Sequence, residues 1–230
     1  YTAAFTPPTA SFPTNAPVVG RRGVGTEDTL RTRGYLGAAP LAVDTFATLD
    51  PDNVSSGSGA VLSNGNLSVL TANAGDTGNF GTIALPSSGK VYWEVYCGTS
   101  GTAIRYIYVG DGAANIANSV VYRGDDGTKR IDGTFSAYGA TYTLGSVIGV
   151  AVDLDGGTVE FFKDGTGQGQ ISYDFSGKTV YPSVSDGSSL ATANYTFNFG
   201  QDHTFADAKT ELATPYTDAN GLGEFYHEPP

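Results

Sequence analysis

Two histidines and two acidic motifs are the residues of this sequence that could carry catalysis or bind a metal ion. The histidines are His203 and His227, and neither belongs to an HExxH motif or another metal-ligand spacing. The acidic motifs, DLDG at 153–156 and DDG at 125–127, contain residue types that bind Ca²⁺. Both lack the further ligands and closing carboxylate of a calcium loop, and Asp before Gly is typical of hairpin turns. We therefore expect no catalytic residues, no metal and no cofactor.

The single cysteine, Cys97, lies in the apolar run 92–97. No intrachain disulfide can form, and no second cysteine is present to share a metal ion. We interpret Cys97 as an inert strand thiol, because a reactive thiolate needs exposed or basic surroundings.

The composition favours a β protein that binds neither nucleic acid nor membranes. The chain has 230 residues and a net charge of −11, so phosphate backbones and anionic bilayers repel it. No run approaches the ~20 apolar residues of a membrane span. With 32 glycines and only 15% charged residues, the chain suits many short strands joined by tight turns.

The clearest secondary structure is a hairpin of two strands, 147–154 and 158–163, joined by the turn residues at 155–157. Alternate residues of both strands are apolar, so one face of the hairpin is predicted to point into a core. The core-facing residues are Ile148, Val150, Val152, Leu154, Val159 and Phe161.

Further strands are predicted on both sides of this hairpin. Asn64-Gly65 is the strongest short hairpin signal in the chain. Trp93, the only tryptophan, shares a strand face with Val91 and Val95. We expect it in the core, with its indole N–H bonded to a backbone carbonyl.

Four motifs resemble the SPRY (B30.2-like) domain in their order and spacing. GSVIGVAVDLDGGTVEFFKDG at 145–165 resembles the middle of that domain. KVYWEV at 90–95, YPSVS at 181–185 and YTFNFGQ at 195–201 resemble its early and late strands. The resemblance covers about residues 46–205. It implies an all-β, antiparallel β-sandwich of the concanavalin-like jelly-roll type, and a non-catalytic recognition module.

The resemblance also implies that loops at one end of the sandwich contact a partner. The candidate loops are 111–118, 122–130, 136–142 and 185–193. Amphipathic side chains anchor interfaces, and the binding candidates of this type are Tyr122, Arg123, Arg130 and Tyr138.

Residues 1–44 are predicted to be an extended N-terminal arm with a joint to the domain, since Pro7, Pro8, Pro13 and Pro17 block helix within residues 1–20. A short helix at 26–33 would form part of the joint. The alternative is a disordered tail, but spaced aromatic residues favour an arm that orders on a neighbouring subunit. The candidate assembly residues are Phe5, Phe12, Arg21 and Arg22.

After a sandwich at 45–205, residues 206–230 are predicted to be a C-terminal strap. A helical turn is expected within 204–212. The alternative is that the natural chain continues beyond residue 230.

The small-residue composition and the ending EFYHEPP look like those of SPRY modules in bacteriophage virion proteins. This implies a capsid decoration, head-fibre or tail-appendage subunit at the surface of an extracellular particle. The arm would bind other virion proteins, and the chain would form a homo-oligomer or symmetric assembly. The alternative is a carbohydrate- or receptor-binding adhesin domain of a tail fibre or bacterial surface protein, whose loops bind a host glycan or protein. A polysaccharide-degrading enzyme is a third hypothesis.

Overall fold

A computed structural model describes residues 46–53, 60–71, 78–98, 104–112, 116, 118–187 and 191–230. They belong to one compact unit, Asp44–Pro230. The arm predicted at 1–44, its helix and its residues Phe5, Phe12, Arg21 and Arg22 lie outside the described residues, so their docking stays a prediction.

The described residues form two antiparallel sheets, as the sequence predicts. The first sheet has the strand order β1-β2-β13-β4-β9-β10-β11, and the second has the order β3-β12-β5-β6-β7-β8. The two inner faces enclose the main core, and this confirms an all-β sandwich. The strands are β1 (Val61–Ser63), β2 (Ser68–Leu70), β3 (Gly78–Phe80), β4 (Lys90–Cys97), β5 (Arg105–Gly110), β6 (Ser119–Arg123), β7 (Thr128–Ile131), β8 (Thr134–Ala137), β9 (Val147–Asp153), β10 (Thr158–Lys163), β11 (Thr166–Ser172), β12 (Tyr181–Asp186) and β13 (Asn194–Asn198), with a 3₁₀ turn at Pro51–Asn53.

The predicted central hairpin is confirmed as β9 and β10. Val150 pairs with Phe161 and Val152 pairs with Val159, and all four side chains are buried. The apolar faces of the two strands are therefore in register, as their period of two requires. The hairpin predicted at Asn64-Gly65 also forms, between β1 and β2.

Trp93 is buried in the core as predicted, but the prediction for its N–H is wrong. The indole Nε1 makes no hydrogen bond to any described residue. The strand alternation points the indole into the layer between the sheets, where its neighbours are apolar side chains such as Val150. Among the described residues, apolar packing is therefore what positions the indole.

The outer face of the first sheet is also covered. The expected helical turn after His203 is instead a left-handed turn, with φ of +53° at Phe205, +58° at Ala206 and +65° at Asp207. Asp202 stabilises this strained backbone by accepting hydrogen bonds from the N–H and hydroxyl of Thr204 and the N–H of Ala206. Phe205 packs with Tyr96 and Val147 in a second cluster on the sheet.

Candidate binding surface

The hairpin of β7 and β8 ends the second sheet. Among the described residues β8 pairs with β7 alone, so its other edge is open. All four residues of β8 are exposed. The turn between the strands uses Asp132 and Gly133 at positive φ, which makes the connection tight.

An exposed phenylalanine on β8 lies close to two arginines. The side chain of Phe135 is 43% exposed and pairs across the strands with Arg130. The guanidinium carbons of Arg123 and Arg130 lie 5.6 Å and 5.3 Å from its ring centroid, within cation–π distance. We call Arg123, Arg130 and Phe135 the Arg–Phe surface.

Arg123, one member of the Arg–Phe surface, is held in place by ion pairs and hydrogen bonds. Arg123 donates to both carboxylate oxygens of Asp125, one of them at 2.7 Å, and lies near Asp126. The hydrogen bond and charge of Asp125 raise the pKa of Arg123, so it stays charged. A bidentate pair fixes the guanidinium plane, and that preorganises the surface.

Tyr138 fastens the same hairpin to the first sheet. Its hydroxyl donates to the carbonyl of Gly169 at 2.6 Å and accepts from the N–H of Phe161 at 3.1 Å. The ammonium of Lys129 lies 5.4 Å from the ring centroid. Burial raises the pKa of Tyr138 to about 12, so the hydroxyl stays protonated and can donate. Tyr138 positions the surface more than it offers contact area.

Tyr122 does not lie on this surface. It belongs to β6, not to a loop, and its side chain is buried. Its ring packs against Tyr142 and Phe161, and its hydroxyl donates to the carbonyl of Ala140. The alternation that turns Arg123 outward turns Tyr122 into the core. Of the four binding candidates, the structure therefore brings Arg123 and Arg130 together around Phe135, which the sequence analysis did not single out.

A buried carboxylate on the first sheet is a second feature that the sequence analysis missed. Glu94 lies in β4 and is fully buried. It accepts hydrogen bonds from the backbone N–H groups of Tyr226 and His227 at 2.8 Å and 2.7 Å, and from Asn198 and Tyr92 at 3.1 Å and 3.3 Å. Burial raises the pKa of Glu94 to about 7, against the opposing effect of these hydrogen bonds.

The other polar groups considered for chemistry have structural roles. Asp153 accepts from the N–H of Gly156, Asp155 from that of Gly89, and Asp126 from Thr128. Burial raises the pKa of the Cys97 thiol to about 12. Within the described ranges, no three His, Cys, Asp or Glu side chains are gathered as metal ligands.

The two histidines lie against the C-terminal part of the chain. His203 is buried, and its Nε2 accepts from the N–H of Leu212 at 3.1 Å. Its two ring nitrogens also face Glu211 and Glu224 at 3.6 Å and 3.5 Å. His227 is half-buried and contacts the edge of Tyr226. In the described part of the chain, no helix is long and apolar enough to cross a membrane.

The two-sheet sandwich carries an exposed aromatic residue on its last strand, β8, beside arginines on β6 and β7, and such a surface is typical of a β-sandwich binding module. Residues 90–202 match the family model of the SPRY domain, so the chain carries a SPRY domain. This family consists of protein-interaction modules that are generally non-catalytic.

Solved structures share this fold. The SPRY domain of human HERC1 superposes with a TM-score of 0.55 at 19% identity, over 65% of this chain and 96% of that chain. Stonustoxin superposes with a TM-score of 0.52 at 18% identity, over 66% of this chain. The match spans 27% of the stonustoxin chain. A comparison with curated proteins finds no match.

Proposed function

We propose that this chain is a non-catalytic structural protein of a bacteriophage virion, a capsid decoration, head-fibre or tail-appendage subunit. The N-terminal arm binds it to other virion proteins in a symmetric assembly. The sandwich faces outward from the extracellular particle and binds a partner protein. The small-residue composition and the Pro- and Thr-rich opening with spaced aromatic residues support this proposal.

The observation that carries the binding role is the Arg–Phe surface. Arginine and aromatic residues are enriched in interface cores, where they contribute most of the binding energy. Here Arg130 and Phe135 are cross-strand partners on the β7–β8 hairpin, and Arg123 on β6 is held by its bidentate pair with Asp125. Asp125 and Asp126 offset the charge of Arg123, so Arg130 is the arginine of this surface that would attract an acidic group of the partner.

The virion role is tested by purifying intact particles from the source of the sequence and locating the chain by mass spectrometry and electron microscopy. We expect many symmetric copies on the capsid or the tail. Deleting residues 1–44 is expected to abolish particle association while the sandwich still folds. A protein that keeps its particle association without the arm contradicts the arm's role, and a protein absent from particles contradicts the proposal.

A carbohydrate-binding adhesin is the second candidate, and a polar pocket of about 280 Å³ favours it. The pocket lies beside β2 and β13, and the residues that line it include Ser63, Asn64, Asn194 and Thr196. Amide and hydroxyl groups are the donors and acceptors that sugar hydroxyls require. A glycan array decides between the candidates: binding that Asn194→Ala removes and Phe135→Ala leaves intact supports the adhesin.

A further inference from the structure

The C-terminal segment, residues 216–230, binds the outer face of the first sheet as a peptide binds a receptor. Glu94 accepts its two successive backbone N–H groups, at Tyr226 and His227. Asn198 donates to the backbone carbonyl of Glu224 at 2.8 Å. The side chains of Glu94 and Asn198 thus bind main-chain groups of the segment. Receptors hold an extended peptide in this way when recognition does not depend on the peptide's sequence.

Aromatic contacts supply the part of this recognition that depends on sequence. The ring of Phe225 meets the ring of Tyr92 edge-on, with centroids 5.1 Å apart. The ring of Tyr226 lies 6.2 Å from that of Phe205, in the cluster that contains Tyr96 and Val147. Phe225 is buried by this docking. We call the surface formed by Tyr92, Glu94, Asn198 and Phe205 the Glu94 groove.

The C-terminal segment has a folded form of its own. Tyr216 and Phe225 exchange two backbone hydrogen bonds, at 3.0 Å and 2.8 Å. Asp218 closes the loop between them by accepting from the N–H groups of Asn220 and Leu222. The segment can therefore dock as a unit. Its local hydrogen bonds already offset part of the conformational entropy that it loses on docking.

The stretch that joins this unit to the sandwich is exposed. Four of the six residues at 210–215 are exposed and the other two, Leu212 and Pro215, are half-buried. A short exposed connection between a sandwich and a docked unit is the geometry from which identical chains exchange elements.

We propose that the Glu94 groove is a peptide-binding site for the C-terminal segment of a second copy of this chain, and that the chain's own segment occupies it in competition. Every copy of the chain carries both the groove and the segment that fits it. A second copy therefore already has all the groups that this binding requires. The tethered segment has a high effective concentration, so exchange requires crowded copies, as in an assembly. The proposal concerns a different surface from the Arg–Phe surface and does not depend on the virion role.

The test uses a fluorescent peptide with the sequence of residues 216–230 and measures its binding by anisotropy. Full-length wild-type protein is expected to bind it weakly, because the tethered segment fills the groove. The full-length variant Phe225→Ala/Tyr226→Ala is expected to bind it about tenfold more tightly, since its own segment no longer competes. Adding Glu94→Gln to that variant is expected to remove the gain. A scrambled peptide is the control.

Equal weak binding to all three proteins overturns the proposal. Circular dichroism checks that each variant is folded, and the milder full-length variant Phe225→Leu replaces the double variant where that one fails to fold. An independent test deletes residues 213–215 from the full chain, which shortens the connection so that the segment is not expected to reach its own groove and keeps the hydrogen bond from Leu212 to His203. Light scattering is then expected to show that the deletion variant is a dimer. Adding Glu94→Gln to this variant is expected to dissociate the dimer. A monomeric deletion variant overturns the proposal.

Discussion

The carboxylate of Glu94 lies 2.8 Å from the backbone nitrogen of Tyr226, although the two residues are 132 positions apart in the sequence. This contact joins the middle strand of the first sheet to the last residues of the chain. Since Glu94 is fully buried and faces several donors, the contact bears on both the stability and the titration of the protein.

Removing the Glu94 carboxylate is expected to destabilise the fold. Glu94→Ala leaves the N–H groups of Tyr226 and His227 without their acceptor and opens a cavity beneath them. We expect a loss of about 3 kcal/mol in the free energy of unfolding, measured by urea denaturation. Glu228→Ala is the matched control, because Glu228 is exposed and its loss should be near neutral. Similar small losses in both variants would contradict the role of Glu94.

The stability contributed by Glu94 is expected to depend on pH. Its pKa is raised to about 7 in the folded protein, above the value near 4.3 of an unfolded chain. The folded state therefore binds a proton that the unfolded state has released. This contribution is fully present below the unfolded pKa and is lost as the pH rises through about 7. Relative to Glu94→Gln, the wild type should lose on the order of 3 kcal/mol across this window.

Urea denaturation of both proteins at several pH values measures this difference. The Gln variant cannot titrate at position 94, so subtracting its pH profile removes the contributions of the other titrating groups. Parallel profiles for the two proteins would show that Glu94 titrates as it does in the unfolded chain.

Substitution in the Arg–Phe surface is expected to weaken partner binding and leave the fold intact. Phe135→Ala/Arg130→Ala removes the exposed ring and one cation, at an expected cost near 2 kcal/mol in binding and much less in stability. Quantitative mass spectrometry of source proteins retained on immobilised chain measures the effect. Leu144→Ala is the control, because Leu144 is 45% exposed and lies outside the Arg–Phe surface. Equal retention by both variants would remove the surface from consideration.

The hydroxyl of Tyr142 is expected to stabilise the core. It donates to the carbonyl of Tyr122 at 2.8 Å, with the carbonyl of Arg105 3.1 Å away. Tyr142→Phe removes a buried hydrogen bond, so we expect a loss of about 1 kcal/mol in thermal or urea unfolding. Tyr216→Phe, at a side chain that is 45% exposed, should change stability little. A neutral Tyr142→Phe variant would show that water or another donor replaces the hydroxyl.

The strands and hairpins could be predicted from the sequence because their signals are local. Alternating apolar residues identified β9 and β10 and their buried faces, and turn residues identified the connection between β1 and β2. The same motifs carried the resemblance to the SPRY domain, which the family model matches over residues 90–202.

The surfaces and the buried polar contacts were decided by the tertiary structure. Which strands become neighbours decides the inward position of Tyr122 and the contacts of Phe135 with Arg123 and Arg130. It also decides that the N–H of Trp93 meets no acceptor among the described residues. No local pattern relates Glu94 to Tyr226, because only the folded sheet brings these distant residues together. A local pattern determines which face of a strand is apolar, whereas the partners of a polar side chain depend on the packing of the whole chain.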